Sequence, residues 1–332
     1  MSGQRLALFC ALTVIGGGCE GNQSMFNPQG PAARSIAQLG WTLIGTSLVV
    51  YLIVMAALAW ALLRTRRPSD DLTETTRRLA AIIGGAVAVT ALILVSLTVA
   101  SAAVGRGLTA PTGAGAFTVN VVGHQWWWDF QYRGLTSSDL VTSPNELHLP
   151  IGVPVVLSVQ SRDVIHSFWV PNLHGKRDLI PGEVTHMWLQ ADVPGVYRGQ
   201  CAEFCGHQHA KMAFNVVAEP VERFQKWIQN QRNAAIEPAT DQQRRGRELF
   251  LRSTCVTCHA ISGTDAGSRV GPDLTHVGSR LTIAAGTLPN TAEHIRTWVS
   301  NPAAVRPGVR MPPNGLSPDD LDALVAYLRS LR

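Results

Sequence analysis

Charged residues are scarce in this chain. Of its 332 residues only 15% are Asp, Glu, Lys or Arg, whereas 46% are hydrophobic, which is apolar for a water-soluble protein. Two segments, residues 39–63 and 79–104, contain no charged residue at all. Each is longer than the ~20 residues that a helix needs to cross a bilayer core of ~30 Å. We therefore expect two transmembrane helices, and a buried helical hairpin is the alternative that this pattern leaves open.

A concentrated stripe of positive charge is also missing. The pI is about 9.1, but 7 of the 28 basic and 4 of the 23 acidic residues precede Gly105. The remaining 21 basic and 19 acidic residues nearly cancel and form no basic stripe. The chain therefore lacks the electrostatic footprint of a protein that binds nucleic acid.

The segment between the two apolar stretches is basic. It holds three acidic residues and five arginines, which are Arg64, Arg66, Arg67, Arg77 and Arg78. By the positive-inside rule this loop is cytoplasmic. Both termini, and the whole chain from Gly105 onward, are then expected on the extracytoplasmic side of a bacterial cytoplasmic membrane.

The first residues have the pattern of an export signal. Arg5 precedes an apolar run, Leu6 to Ile15, which is followed by three glycines and Cys19. This pattern predicts a signal peptide over residues 1–18. Small residues before a cysteine resemble a bacterial lipoprotein cleavage site, although Gly16 stands where that pattern has an aliphatic residue. Lipidation of Cys19, ordinary cleavage and retention as a short anchor all remain open.

The densest group of potential metal ligands lies in residues 201–212, CAEFCGHQHAKM. Two thiols, two imidazoles and a thioether form a soft ligand set, which suits copper better than magnesium, calcium or manganese. Two cysteines four residues apart could bridge a pair of metal ions. A cysteine pair in an exported chain is more often a disulfide, but His209, Met212 and the distant His166 favour a metal site.

This segment resembles the binuclear copper A loop of cytochrome c oxidase subunit II, C-x-E-x-C-x-x-x-H-x-x-M, at every fixed position. Residues 161–171, SRDVIHSFWVP, resemble the first ligand strand of the same family and contain His166. His207 fits no ligand position in this pattern.

The resemblance implies a complete ligand set for two copper ions. Cys201 and Cys205 would bridge both ions. One copper would be held by His166 and Met212, and the other by His209 and the backbone carbonyl of Glu203. The resemblance also implies that the Glu203 carboxylate faces a magnesium ion shared with the catalytic subunit.

Short β-strands are expected around these ligands. Alternating and β-branched segments predict strands at residues 117–122, 146–149, 155–159, 164–170, 183–189, 195–200 and 213–217. Short strands separated by Pro and Gly turns indicate a Greek-key β-sandwich or barrel, and the resemblance makes it a cupredoxin-like copper A domain over residues 105–233. A short amphipathic helix from Val221 to Asn233 would close it.

Three tryptophans follow the first strand of this domain. Residues 123–128, GHQWWW, resemble the aromatic segment through which the family receives electrons, which implies an electron-relay role for Trp126. Trp127 and Trp128 are expected to pack in the core or lie at the membrane interface, where indoles are favoured.

A second redox motif, CVTCH at residues 255–259, is the attachment signature of c-type haem. Cys255 and Cys258 would bond the haem vinyl groups, and His259 would ligate the iron. A zinc site or a redox disulfide can also use Cys-x-x-Cys, but no third or fourth cysteine follows in the sequence.

Met311 is the predicted sixth ligand of the haem iron. It is the only methionine after Met212, and its setting, MPPN, resembles the distal loop of small cytochromes c, where a Met/His pair raises the haem potential. His276 and His294 are weaker candidates. After a linker at residues 234–240, helices at 241–251, 292–300 and 318–331 complete an all-α cytochrome c domain over residues 241–332.

Taken together, these features resemble subunit II of a haem–copper cytochrome c oxidase that carries its own haem c. The resemblance implies that electrons from cytochrome c or another donor enter at the haem, pass to the copper pair and leave for haem a in subunit I. Oxygen would be reduced there with proton pumping, and subunit III is a further implied partner. Two alternatives stay open, the electron-input subunit of a copper-A nitric oxide reductase and a stand-alone membrane-anchored electron carrier. A quinol oxidase subunit is disfavoured, because that branch lacks the copper ligands.

Overall fold

The computed structural model describes residues 21–64, 72–109, 117–133 and 140–332. The predicted signal peptide and Cys19 lie outside the described residues, as do residues 65–71 of the basic loop. The chain divides into two compact units. One unit is Arg34–Thr109, and the other combines the chain before and after it.

The two apolar segments lie in long helices, α1 (Pro31–Leu63) and α2 (Leu72–Gly107). Both are long and apolar enough to cross a membrane. Their large side chains are exposed, for example Leu62 at 77% and Ile82 at 67%, which disfavours the alternative of a buried hairpin. Exposed apolar surface is unfavourable in water by ~25 cal/mol per Å², so a lipid environment suits these helices.

Ten strands form two five-stranded sheets beyond the helices. The first sheet has the order β3-β2-β1-β5-β8 and consists of β1 (Thr118–His124), β2 (Trp127–Arg133), β3 (Leu140–Pro144), β5 (Val155–Ser161) and β8 (Thr185–Leu189). The second has the order β4-β10-β9-β6-β7 and consists of β4 (Glu146–Pro150), β6 (His166–Trp169), β7 (Arg177–Leu179), β9 (Gly195–Cys201) and β10 (Ala213–Glu219). The pairs β1–β5 and β4–β10 are parallel, and the other pairs are antiparallel. This two-sheet arrangement is the expected cupredoxin-like fold.

Both sheets contribute side chains to one core. Alternation along β2 buries Trp128, Phe130 and Tyr132, as expected for a strand with one face inside. Trp128 packs against Phe168 and Phe214 of the second sheet, with ring centroids 5.9 and 5.2 Å apart. Helix α3 (Val221–Gln231) follows β10.

The N-terminal tail of the same unit lies against the sheets. The Asn172 side chain donates hydrogen bonds to the carbonyls of Gly21, Ser24 and Asn27 at 3.3, 3.1 and 2.9 Å. The Asn172 carbonyl in turn accepts from the backbone of Gln29 at 2.7 Å. Asn172 is therefore a main anchor of the tail, and backbone bonds of Gln29 and Ala33 to Asp192 and Leu173 add to it.

The C-terminal part is helical, as the cytochrome c resemblance implies. Its helices are α4 (Asp241–Arg252), α5 (Ala292–Ser300), α6 (Pro302–Val305) and α7 (Pro318–Ser330), with a small hairpin of β11 (Thr282–Ile283) and β12 (Leu288–Pro289). Thr240 and Gln243 form a capping box at the start of α4. Gly246 lets α4 approach α7 closely, because an added Cβ would lie 2.0 Å from the Ala323 carbonyl.

Candidate metal and haem centres

Neighbouring strands of the second sheet position the first two candidate copper ligands. His166 is the first residue of β6, and Cys201 is the last residue of β9. These strands are antiparallel neighbours, with Phe168 opposite Cys201. Nδ1 of His166 therefore lies 3.8 Å from Sγ of Cys201, although the two residues are 35 positions apart in sequence.

The other candidates come from residues 202–212, here called the copper loop, which connects β9 to β10. Sγ of Cys205 lies 3.7 Å from Sγ of Cys201, 3.7 Å from Nδ1 of His209 and 3.8 Å from Sδ of Met212. The Glu203 carbonyl lies 3.1 Å from Sγ of Cys201. All six residues singled out in the sequence are thus brought together. His207 of the same loop is exposed.

The donor set fits a pair of soft metal ions. Both cysteines are free thiols, and each sulfur has its own imidazole nitrogen close by. The ligand atoms of His166, Cys201 and Cys205 all lie within 4.8 Å of one another. Thiolate, imidazole and thioether ligands together suit copper, and two sulfurs at this spacing can each contact the same two ions.

The electrostatics of the sulfur pair favour one thiolate even without metal. The hydrogen bond with Cys205 lowers the pKa of Cys201 to about 3, and burial works against that shift. The same hydrogen bond and burial raise the pKa of Cys205. The pair therefore favours a negative charge on one sulfur, which suits a cation site.

Asp163 orients the first imidazole. Its Oδ1 accepts a hydrogen bond from Nε2 of His166 at 2.8 Å, and its Oδ2 accepts from the Gln125 backbone at 2.7 Å. The carboxylate fixes the tautomer in which Nδ1 of His166 is free to face the sulfurs. Sequence reasoning did not single out Asp163. Its position three residues before His166 was the available signal.

The tryptophan expected to relay electrons contacts the copper loop. Trp126 is buried, and its Nε1 donates to the Cys205 carbonyl at 2.8 Å. The Gln125 side chain donates to the same carbonyl at 2.8 Å. Gly206 has φ of 111°, and a Cβ there would lie 3.1 Å from the Trp126 ring, so a glycine permits this approach.

Of the other two tryptophans, one packs in the core as expected, and the other is only half-buried. Trp128 is fully buried in the core. Trp127 stacks on His124, with ring centroids 4.3 Å apart. Neither has the hydrogen bond to the copper loop that distinguishes Trp126.

The haem motif forms a short turn, Thr254–Thr257, that presents Cys255 and Cys258 as free, partly buried thiols. Nδ1 of His259 hydrogen-bonds the Pro272 carbonyl at 2.7 Å, which leaves Nε2 as the nitrogen for iron. Burial lowers the pKa of His259, which favours the neutral, ligating imidazole. Gly271 packs directly against the His259 ring, because a Cβ at this position would lie only 2.8 Å from Cε1 of His259.

Met311 and Cys255 pack against the same core of the C-terminal domain. Each of the two alternative ligands has one ring nitrogen in a hydrogen bond. Nε2 of His276 lies 3.2 Å from the Asn233 carbonyl, and Nδ1 of His294 lies 2.9 Å from Oγ1 of Thr291 at the start of α5. The donors fit a haem with a nitrogen and a thioether as axial ligands.

Comparison with known proteins gives two family matches. Residues 134–219 match the profile of the cytochrome c oxidase subunit II periplasmic domain, and residues 243–332 match that of cytochrome c. A protein named cytochrome c oxidase subunit 2 from Alkalihalophilus pseudofirmus is 34% identical over 341 residues, covering 97% of this chain and 95% of its own length.

Two further relatives cover parts of the chain. A cytochrome c oxidase subunit 2 from Bacillus sp. is 35% identical over 64% of this chain and 62% of its own length. The crystal structure of the periplasmic domain of oxidase subunit II from Bradyrhizobium japonicum is 26% identical over 36% of this chain and 96% of its own length, with a TM-score of 0.34.

Proposed function

The chain belongs to the family of cytochrome c oxidase subunit II and carries a cytochrome c domain, and from this premise we propose that it is the electron-input subunit of a respiratory haem–copper oxidase. The observation that carries the proposal is the convergence of His166, Cys201, Cys205, His209 and Met212 at the end of the second sheet. A stand-alone structural domain has no need of such a set of buried soft donors.

Each side chain has a role in holding the metals. Cys201 and Cys205 would bridge two copper ions, His166 and Met212 would complete the ligands of one ion, and His209 with the Glu203 carbonyl would complete those of the other. The Glu203 carboxylate is then available for a magnesium ion at the contact with subunit I. When bound, the copper pair takes up and releases one electron at a time.

The C-terminal domain holds haem c. Cys255 and Cys258 would attach its vinyl groups, His259 would ligate the iron through Nε2, and Met311 would supply the sixth ligand. The Pro272 carbonyl accepts from Nδ1 of His259 and keeps the ring in place. When bound, the haem supplies a second one-electron redox centre in the same chain.

Electrons from cytochrome c or another donor then enter the chain at its C-terminal domain and leave it from the copper domain toward haem a of subunit I. Trp126 lies between the two regions, because its carbonyl accepts a hydrogen bond from Arg306 of the C-terminal domain and its indole donates to the Cys205 carbonyl. Oxygen reduction belongs to subunit I. The proton routes lie mainly in that subunit as well, because neither apolar segment of this chain contains an acid or a base.

The chain is anchored by both apolar helices, with the basic loop inside and the two redox domains outside the cytoplasmic membrane. Subunits I and III surround the helices in this arrangement. Charged side chains at Arg64 and Arg77 flank the apolar segments, as the positive-inside rule requires.

The test uses the purified complex with metal analysis and gas consumption. We expect two copper ions and one covalent haem per chain, and oxygen uptake driven by reduced cytochrome c. Cys205→Ser should remove the purple mixed-valence copper centre and oxygen uptake, but leave the haem c spectrum unchanged. One copper per chain, zinc alone, or consumption of nitric oxide instead of oxygen would contradict the proposal.

A further inference from the structure

A second polar cluster joins the copper domain to the cytochrome c domain, and none of the roles above uses it. Its centre is Arg306, which is only 2% exposed. The Arg306 guanidinium donates to the Trp126 carbonyl at 3.1 Å, to Oε1 of Gln208 at 3.1 Å and to the Ala284 carbonyl at 3.2 Å. Trp126 and Gln208 belong to the copper domain, so one side chain spans both domains.

Further contacts extend from Arg306 along residues 301–311, here called the distal segment, which ends at Met311. The Gln208 side chain donates to the Pro307 carbonyl. Nζ of Lys211 donates to the Val305 carbonyl at 2.7 Å. Arg310 donates to Oε1 of Gln125 at 2.5 Å. The distal segment therefore lies on the copper loop and on the turn that carries Trp126.

These contacts converge on one atom of the copper site. Gln125, which accepts from Arg310, donates to the Cys205 carbonyl. Trp126, which accepts from Arg306, donates to the same carbonyl through its indole. Two hydrogen-bonded routes thus lead from the segment that ends at a predicted haem ligand to a predicted copper-bridging cysteine.

The chemistry of Arg306 is unusual for a residue that only stabilises a fold. Its three acceptors are neutral oxygens, so a cation is buried without a carboxylate beside it. Burial lowers the pKa of Arg306 to about 10, which leaves it protonated at neutral pH. A hydrophobic side chain would avoid the penalty of desolvating a charge, so the guanidinium is kept for its directional hydrogen bonds.

The turn between β11 and β12 also presents acceptors to this contact. Ala284 and Ala285 have φ of 52° and 51°, a conformation that residues with a Cβ rarely adopt. The Ala284 carbonyl accepts from Arg306, and the Ala285 carbonyl accepts from the backbone of Ala213, the first residue of β10. Both strained residues therefore point an acceptor at the contact between the domains.

We propose that Arg306 is a positioning residue that latches the cytochrome c domain onto the copper domain and holds the distal segment against Trp126. The domains then exchange electrons in one fixed arrangement, without a search by a tethered domain. This inference rests on the proposed electron route through the chain. It adds how the two domains are held together along that route.

The test uses the full chain in the purified oxidase, with both redox centres loaded. Arg306→Met keeps the length of the buried side chain but removes its donors, and Arg306→Lys keeps only the charge. Arg245→Ala is the matched control, because Arg245 pairs with Asp320 inside the cytochrome c domain. The measurements are the transfer rate from flash-reduced haem to copper at several solvent viscosities, and the rate of proteolysis in linker 234–240.

We expect Arg306→Met to slow transfer about ten-fold or more, because an unlatched domain is present only at the effective concentration set by its linker. The transfer rate in this variant should also fall as solvent viscosity rises, whereas transfer between domains in a fixed arrangement does not depend on viscosity. Proteolysis of the linker should become faster. The transfer rate of Arg306→Lys should lie between the rates of the parent and of Arg306→Met. The rate of Arg245→Ala should equal that of the parent. An Arg306→Met chain with intact haem and copper spectra and an unchanged, viscosity-independent rate would overturn the inference.

A crosslink between the copper loop and the distal segment tests whether Arg306 acts only by holding the two domains in position. A Cβ at Gly308 would lie 3.4 Å from Cβ of His207, close to the spacing of a disulfide. In the Arg306→Met chain, a His207→Cys/Gly308→Cys crosslink verified by mass spectrometry should restore the rate. A complete crosslink without recovery would contradict a positioning role.

A milder variant covers the case in which Arg306→Met does not assemble. Arg306→Lys keeps the buried charge but loses the forked donors that reach three acceptors, and it should also make the rate depend on viscosity. A rate in Arg306→Lys that equals the parent rate and stays independent of viscosity would overturn the latch. If the parent chain itself showed no transfer from haem to copper, the proposed function would fail instead.

Discussion

Asp163 determines which nitrogen of His166 faces the two sulfurs. Because its carboxylate accepts from Nε2, we expect Asp163→Ala to weaken copper binding by about 10–100-fold, the usual effect of removing such a partner. Copper content after dialysis against a graded chelator would measure this, with Glu183→Ala, an exposed acidic residue of the same domain, as control. Equal copper retention in both variants would show that Asp163 does not orient the ligand.

Met311 sits at the end of the distal segment and packs on the core that also contacts Cys255. Met311→Ala should open the sixth haem position and lower the haem potential, because the thioether favours ferrous iron and axial ligands tune potentials over about 0.8 V. A redox titration with the visible spectrum would measure it. His276→Ala and His294→Ala serve as controls that should keep the methionine-to-iron charge-transfer band. Persistence of that band in Met311→Ala would assign the ligand to another residue.

Single residues differ in how far the sequence could predict them. The copper candidates could be found because five of the six lie within twelve consecutive positions, at a spacing tied to one chemistry. Arg306 could not be found, since its three acceptors lie 180, 98 and 22 positions away. A solvated surface arginine is the ordinary expectation for such a residue, and only the docked arrangement of the domains changes it.

Elements with local signals were predicted well. Helix α5 has the predicted bounds, and α7 begins at the predicted Pro318, because capping residues act within one turn. Strand β2 was missed although its sequence alternates between apolar and polar residues from Trp128 to Arg133, so the signal for this strand was present. Strand β7 has three residues, too few for any alternation to show, and it forms through pairing with β6.

The pairing of β4 with β10 contains a buried acid–base cluster. Nε2 of His148 lies 3.0 Å from Oε1 of Glu146, and Nδ1 lies 2.9 Å from Oε1 of Glu219. The ring stacks on Trp227 of α3, with centroids 3.9 Å apart. Burial opposes protonation, but the two carboxylates outweigh it and raise the pKa of His148. Tyr132 of β2 faces the same cluster through its hydroxyl, and burial raises its pKa.

This cluster predicts a pH dependence of stability. A group whose pKa is raised on folding contributes stability below its unfolded value of about 6.5, and that contribution is lost as pH rises through the folded value. Arg280 also faces Glu146, but it stays charged through this range. We therefore expect the thermal unfolding midpoint of the copper domain to fall as pH rises through and above neutrality, measured by calorimetry.

Replacing the histidine tests the same cluster. His148→Leu leaves two buried carboxylates without their partner, which should destabilise the domain by about 3–5 kcal/mol. The pH dependence assigned to His148 should disappear with it. His186→Leu on the exposed face of β8 is the control. An identical slope of the unfolding midpoint with pH in the parent and in His148→Leu would contradict the assignment.

At the scale of the whole molecule, a linker joins the two redox domains. The sequence predicts that it spans the seven residues 234–240. The sequence could predict this tether from composition, but not the contacts across it. Backbone groups of the small hairpin region meet the copper domain at two places, where Leu281 donates to Glu146 at 2.9 Å and Ala213 donates to Ala285 at 3.2 Å. Such pairs follow from tertiary packing and have no local signature.

Tethering and docking together predict the kinetics of electron transfer within the chain. A short linker already makes the encounter intramolecular, with an effective concentration in the millimolar range. The contacts found here are mostly hydrogen bonds from Arg306, Lys211 and Arg310 to neutral oxygens, which salt screens little. A free donor would instead rely on exposed charges, which salt screens over ~8–10 Å, and the exported part carries 21 basic and 19 acidic residues without a strong field.

We therefore expect flash-reduced haem c to pass its electron to the copper pair with first-order kinetics. The rate should not change with protein concentration, because donor and acceptor share a chain, and it should be nearly unchanged between low and high salt. Reduction by an external donor in the same preparation provides the control, because it should depend on donor concentration. A transfer rate that rises in proportion to added protein would show that the haem domain serves a neighbouring molecule, and the contacts of Arg306 would then be formed only part of the time.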